Sequence, residues 1–155
     1  MADAKEVTTL LSTSKPLCLN DSSPLLDATL YRQVIGRLQY LALTRPNISF
    51  IVNKLAQFMH QPTKTHWSIV KRLLQYLKHI IQHRLFLKYN QFLHLNAFSY
   101  ADWAGNKANR PSTTTYIIYL GGNAISWFSH KQRLVARSLT EAEYCALAST
   151  ATEVI

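Results

Sequence analysis

"PSTTTYIIYLGGNAISWFSH", residues 111–130, reads as a β-hairpin on composition alone. From Thr114 to Tyr119 every residue is β-branched or aromatic, the types that fit a pleated, half-buried backbone. Gly121, Gly122 and Asn123 supply the turn, because a tight hairpin needs positive φ angles that glycine adopts freely. The expected strands are 114–121 and 124–130.

Downstream, "SLTE" at 138–141 sets Ser138 as an N-cap with Glu141 three residues on. That spacing is a capping box, and it opens an Ala- and Leu-rich helix from about 139. Upstream, Leu93, Leu95 and Ala97 alternate toward Ser99, and "AFSYADWAG" at 97–105 ends on Asp102, Trp103 and a glycine turn. This predicts a strand over 93–101. Leu85, Leu87 and Tyr89 alternate with Arg84, Phe86 and Lys88, which predicts another over 84–89 with a turn at Asn90-Gln91.

Before Arg84 the period is helical. Leu30, Val34, Leu38 and Leu41 form one stripe with Tyr31 and Ile35 beside it, behind Asp27 as N-cap. Pro46 breaks this helix at Arg45 and suits the first turn of the next, where Ile48, Ile51, Val52, Leu55, Phe58 and Met59 recur. Thr63 or Thr65 starts a third, with Trp67, Val70, Leu74, Leu77 and Ile81 as its expected buried face. Helices are thus expected near 28–43, 46–60 and 64–82. The fold class is α+β: an irregular lead-in over 1–26, a helical region over 27–83, and an antiparallel sheet with one helix over 84–155.

The 155 residues suit about one domain, and 48% hydrophobic content is enough for a core. No apolar run approaches the ~20 residues that span a bilayer. The opening "MADAKEVTTLL" lacks the pattern of a signal peptide, so an intracellular location, cytoplasmic or nuclear, is expected. Cys18 and Cys145 stand far apart with no partner motif, which fits free thiols in a reducing compartment.

Charge narrows the partners. The formal net charge is +9, and no acid occurs from residue 28 to 101. That span carries Arg32, Arg37, Arg45, Lys54, Lys64, Lys71, Arg72, Lys78, Arg84 and Lys88. An uncompensated basic stretch attracts polyanions. On the third helix Lys71, Gln75, Lys78 and Gln82 share the side opposite the apolar stripe, flanked by Lys64 and Arg72. Lys64, Lys71, Arg72 and Lys78 are the expected nucleic-acid contacts, weak and non-specific in sequence. A solvated basic surface is the bland alternative. His79 and His83 have metal-ligand spacing on a helix but lack a third ligand, so they read as surface histidines. Neither a membrane nor a small-molecule substrate is expected.

Several long stretches carry a resemblance. "YRQVIGRLQYLALTRPNISFIVNKLAQFMHQPTKTHWSIVKRLLQYLKHIIQHRLFL", "ADWAG", "STTTYIIYLGGNAISWFSHKQ" and "ARSLTEAEYCALASTATE" together resemble the Pol polyprotein of plant copia-type retrotransposons. The resemblance covers nearly the whole chain. It implies the end of a reverse transcriptase, then connection helices, then the first part of a ribonuclease H domain, incomplete at Ile155. In that family the strand motif is aromatic-x-Asp-x-Asp-Trp-Ala-Gly, whose first aspartate binds metal. Tyr100 occupies that position here, and Asp102 the second. The second glutamate of the family's "STEAEY" corresponds to Glu143.

Ribonuclease H cuts RNA in RNA–DNA hybrids with two divalent ions about 3.5–4 Å apart, held by clustered carboxylates. With Tyr100 in place of one carboxylate, and two further acids implied beyond Ile155, the resemblance implies a vestigial Glu143 and a catalytically inactive chain. It implies no cofactor for this chain and Mg²⁺ for the intact family. Asp102 is a candidate surrogate ligand, although two residues along a strand displace it by roughly 6–7 Å. The other reading of Asp102 is a turn residue. Three functions stand side by side: a ribonuclease H subunit completed by another chain, a basic module that holds an RNA–DNA hybrid or a single strand without cutting it, and a relic without selected activity.

Overall fold

The computed structural model describes residues 5–10, 17–18, 22–89, 92–105 and 110–155. It has the α+β composition expected: helices α1 (Ala28–Ala42), α2 (Pro46–Ala56), α3 (Lys64–His79) and α4 (Leu139–Val154), and strands β1 (Leu95–Asp102), β2 (Thr113–Leu120) and β3 (Asn123–Lys131). The chain divides into two compact units, Met1–Arg84 and Leu85–Ile155.

In the first unit the helix starts are local. Asp27 accepts from the Leu30 N–H at 2.8 Å and caps α1. Pro46 opens α2, where its missing N–H costs nothing. Thr63 caps α3 in a capping box whose third-position partner is His66. The three helices enclose a core of Tyr31, Ile35, Leu38, Ile48, Ile51, Val52, Leu55, Phe58, Val70 and Leu73, with Leu17 of the lead-in. The lead-in is irregular but anchored: Leu25 N–H donates to the Pro62 carbonyl at 2.9 Å and Lys64 N–H to that of Ser23 at 3.1 Å.

Two expected faces are rotated. Leu30 is 43% exposed while Tyr31 is fully buried, because the Tyr31 hydroxyl reaches the Leu55 carbonyl at 2.9 Å. On α3 the fully buried residues are His66, Val70 and Leu73; Trp67, Leu74 and Leu77 are only partly covered. Ile81 is 67% exposed, beyond the end of the helix. α2 stops short of residue 60, where Phe58 and Met59 N–H groups bond three residues back to Leu55 and Ala56.

The second unit is a three-stranded antiparallel sheet, order β1-β2-β3, with α4 packed on it. Gly121 (φ 57°) and Gly122 (φ 83°) form the β2–β3 turn, as the hairpin geometry requires. A bulge follows between Ile118 and Tyr119, so Ile125 has no partner in the register. The expected strand over 84–89 is not formed. Lys88 has both its backbone groups taken by one side chain: its N–H donates to Asn123 Oδ1 at 2.7 Å and its carbonyl accepts from Asn123 Nδ2 at 2.8 Å. A strand needs a neighbouring strand, and here an amide side chain stands in for one. Asn90 and Gln91 lie outside the described residues.

α4 starts at Ser138, whose Oγ accepts from the Glu141 N–H at 3.1 Å. Glu141 differs from the expected box: its carboxylate accepts from the Arg137 N–H at 2.6 Å, one residue before the cap. The inner face of α4 is small. Ala142 and Ala146 pack with Ala101 of β1 and with Ala136.

Candidate functional site

Tyr100 and Glu143 line the same cavity. It measures about 450 Å³ and is bounded by Ser99, Tyr100 and Ala101 of β1 and by Thr140, Glu143, Tyr144, Ala146 and Leu147 of α4. Three consecutive strand residues in one wall mean that the cavity wraps the free edge of β1, because side chains alternate across a sheet. Ala101 is the residue that packs against α4. Alternation therefore directs Tyr100 and Asp102 to the other side of the sheet. Tyr100 is 61% exposed, and Glu143 is exposed on the outer part of α4.

Asp102 is not part of that wall. Its carboxylate folds onto Gly105 so closely that a Cβ there would stand 2.0 Å from Asp102 Oδ2. Ala104, at φ 49°, carries the chain through the turn, and the Trp103 indole donates to the Ala136 carbonyl at 3.2 Å. The glycine thus makes room for the aspartate. These contacts are those of a turn residue.

The donor set can be judged against two Mg²⁺ ions. Clamping two such ions calls for several carboxylates converging on one point. The cavity wall offers Glu143 beside a phenol, and among the described residues no group of three or more His, Cys, Asp or Glu could hold a metal ion. These residues do not fit the pair.

A smaller hollow of about 230 Å³ lies by β3, lined by Thr114, His130, Gln132, Arg133, Leu134, Ala136, Glu141 and Cys145. Burial pushes the His130 imidazole below its ordinary range, partly opposed by Glu153. Tyr116 is pushed up by burial, opposed by a hydrogen bond with Ser126 and reinforced by Glu153. Neither Cys18 nor Cys145 forms a disulfide among the described residues.

The basic candidates sit on α3, and the structure separates them. Lys64 and Lys71 are exposed. Arg72 is engaged: Nη2 donates to Thr9 Oγ1 at 2.6 Å and Nε to the Thr9 carbonyl at 3.3 Å. Lys78 is half-buried near the end of the helix. His79 Nδ1 stands 3.3 Å from Glu6 Oε2, and His83 lies beyond the helix.

Other cations of the acid-free span are spent on helix ends. Arg45 Nη1 and Nη2 reach the Ile80 and Ile81 carbonyls at 2.9 and 3.3 Å, and Arg32 Nε reaches that of Met59 at 2.9 Å. These carbonyls lie at or just beyond the ends of α3 and α2, where the helix dipole is negative, so they serve arginines where carboxylates are lacking.

Sequence reasoning passed over His66. It is fully buried and stacked on Phe58 with ring centroids 4.1 Å apart. Its Nδ1 accepts from the Thr63 N–H at 3.1 Å and its Nε2 lies 3.1 Å from the Cys18 carbonyl. A backbone N–H only donates and a carbonyl only accepts, so the ring is the neutral Nε2–H tautomer. The signal for it was its place three residues after Thr63.

No protein-family model matches the chain. No solved structure matches it either. Over 153 residues, 99% of its length, the chain is 50% identical to the retrovirus-related Pol polyprotein from transposon RE2 of Arabidopsis thaliana and 51% identical to that from transposon RE1. It covers 10% of each of these two relatives. An uncharacterized mitochondrial protein of Arabidopsis thaliana is 46% identical over 146 residues, 92% of this chain and 61% of that protein.

Proposed function

Because this chain belongs to the retrovirus-related Pol polyproteins of plant copia-type retrotransposons, we propose that its second unit is a ribonuclease H-like element whose acidic site is no longer competent to cleave RNA in RNA–DNA hybrids. Three antiparallel strands followed by a helix bearing Glu143 support this reading. The observation that carries the loss of activity is the cavity at the β1 edge, where Glu143 is the one carboxylate among the lining residues and Tyr100 stands where the resemblance implies a second. A neutral phenol is a poor substitute for a carboxylate in holding Mg²⁺. Asp102 would have to leave its turn, and Gly105, to help.

The test is cleavage of a labelled RNA–DNA hybrid in Mg²⁺ or Mn²⁺. Neither the chain nor its Tyr100→Asp variant is expected to cut, since one restored aspartate still leaves too few acids. Cleavage by the unaltered chain that disappears in Asp102→Asn would overturn the proposal.

A second role is favoured by the exposed pair Lys64 and Lys71, seven residues apart on α3 and hence on one face. This face holds nucleic acid weakly and without sequence preference. Each phosphate neutralised adds about 0.7 to 0.9 to the slope of log affinity against log salt. Lys64→Glu with Lys71→Glu should lower affinity and flatten the slope; an unchanged slope would reduce the face to solvated surface.

A further inference from the structure

Residues 5–10 run along the same helix that carries the exposed lysines. Arg72 and His79 lie seven residues apart on α3, about 10.5 Å along its axis and on one side. Each meets an oxygen of this one short segment. Arg72 holds the hydroxyl and carbonyl of Thr9, and His79 stands against the carboxylate of Glu6. Leu10, next in sequence, packs against the helical core and fixes one end of the segment.

The strength of these contacts matters. All are at the surface, with His79 and Glu6 side chains 41% and 51% exposed. Surface pairs of this kind contribute little net stability, because water competes for both partners. A guanidinium binds a phosphate through two charge-assisted bonds, whereas Thr9 offers it two neutral oxygens. A polyanion is therefore the better partner for Arg72, and the present arrangement is the weaker of two alternatives.

We infer that residues 5–10 form a detachable strap that competes with phosphate groups for α3. In the closed state its oxygens occupy Arg72 and His79, leaving Lys64 and Lys71 to make first contact. A bound strand then displaces the segment from Thr9 outward, with Leu10 as the fixed end, and Arg72 joins the interface. The strap thereby sets a threshold: short or sparsely charged anions do not open it, and a continuous phosphate backbone does. This inference rests on α3 being a nucleic-acid-binding face, and the experiment separates the two.

The measurement is fluorescence anisotropy of a labelled single-stranded oligonucleotide across a salt series. Thr9→Val leaves the net charge unaltered and removes the hydroxyl that Arg72 holds. It should raise affinity about two- to five-fold, as a competent state becomes more populated, with the salt slope unchanged, because the bound state neutralises the same phosphates in both proteins. In an Arg72→Gln background the same substitution should change nothing. Unchanged or lower affinity in Thr9→Val, while Lys64→Glu with Lys71→Glu still weakens binding, would discard the strap and keep the α3 face. A gain that persists with Arg72→Gln would also discard it. Absence of salt-dependent binding in both the unaltered chain and Thr9→Val would discard strap and face together.

Discussion

Tyr31→Phe should destabilise the first unit at neutral pH and stabilise it in strong alkali. The ring is fully buried beside Trp67, with centroids 6.3 Å apart, and its hydroxyl donates to the Leu55 carbonyl at 2.9 Å. Removing that hydroxyl deletes one hydrogen bond, a cost of about 1 kcal/mol. The loss is limited because the Leu55 carbonyl also accepts from the Phe58 N–H.

Burial pushes the phenol far above its ordinary value of 10. A folded-state pKa raised above the unfolded one contributes stability that is fully present below pH 10 and lost as pH rises toward the folded value. In that window the unfolded chain releases a proton that the native chain keeps. The loss approaches about 1.4 kcal/mol per pH unit. An advantage of about 1 kcal/mol should then be cancelled near pH 11, and Tyr31→Phe should be the more stable form above it. Urea denaturation followed by Trp67 fluorescence, with Trp103 and Trp127 replaced by Phe, reads this unit alone. Because the remaining tyrosines are shared by both proteins, their titration cancels in the comparison. A stability difference that stays constant from pH 8 to 11.5 would refute a desolvated phenol.

Gly105→Ala should destabilise the second unit by about 1–3 kcal/mol, the usual cost of forcing atoms into an occupied space, because the new Cβ meets Asp102 Oδ2 at 2.0 Å. Thermal melting of Gly105→Ala with and without Asp102→Ala checks this, and the double variant should recover part of the loss. Arg45→Met should cost about 1.5–3 kcal/mol, the range for hydrogen bonds from a charged group, with faster amide exchange concentrated around residues 80–83. Self-association is expected through the second unit, where Leu95, Phe98, Tyr144 and Leu147 are 48%, 60%, 68% and 56% exposed beside the free edge of β1. Phe98→Lys should reduce it in sedimentation velocity, and concentration-independent monomer in the unaltered chain would contradict the expectation.

Features built from residues three or four apart were legible in advance. Asp27 and Ser138 announce helix starts, because each cap is an oxygen and an N–H within a single turn. The Gly121-Gly122 turn and its flanking strands are equally local, since positive φ and β-branching act on the residue that carries them. For the candidate site, the strand bearing Tyr100 and the helix bearing Glu143 could be named from order and spacing.

The tertiary structure decided whatever depended on a distant partner. Tyr31 outranks Leu30 because the acceptor is Leu55 on another helix. His66 belongs to the core because the Cys18 carbonyl comes to it. Residues 84–89 alternate like a strand, yet Asn123 claims the backbone of Lys88, and without a neighbouring strand alternation is only a pattern. The basic stretch is the clearest instance: sequence counts Arg32, Arg45, Arg72 and Lys71 alike. Packing gives the three arginines to backbone or hydroxyl oxygens and leaves Lys71 exposed to solvent. Charge is a property of the residue; its availability is a property of the fold.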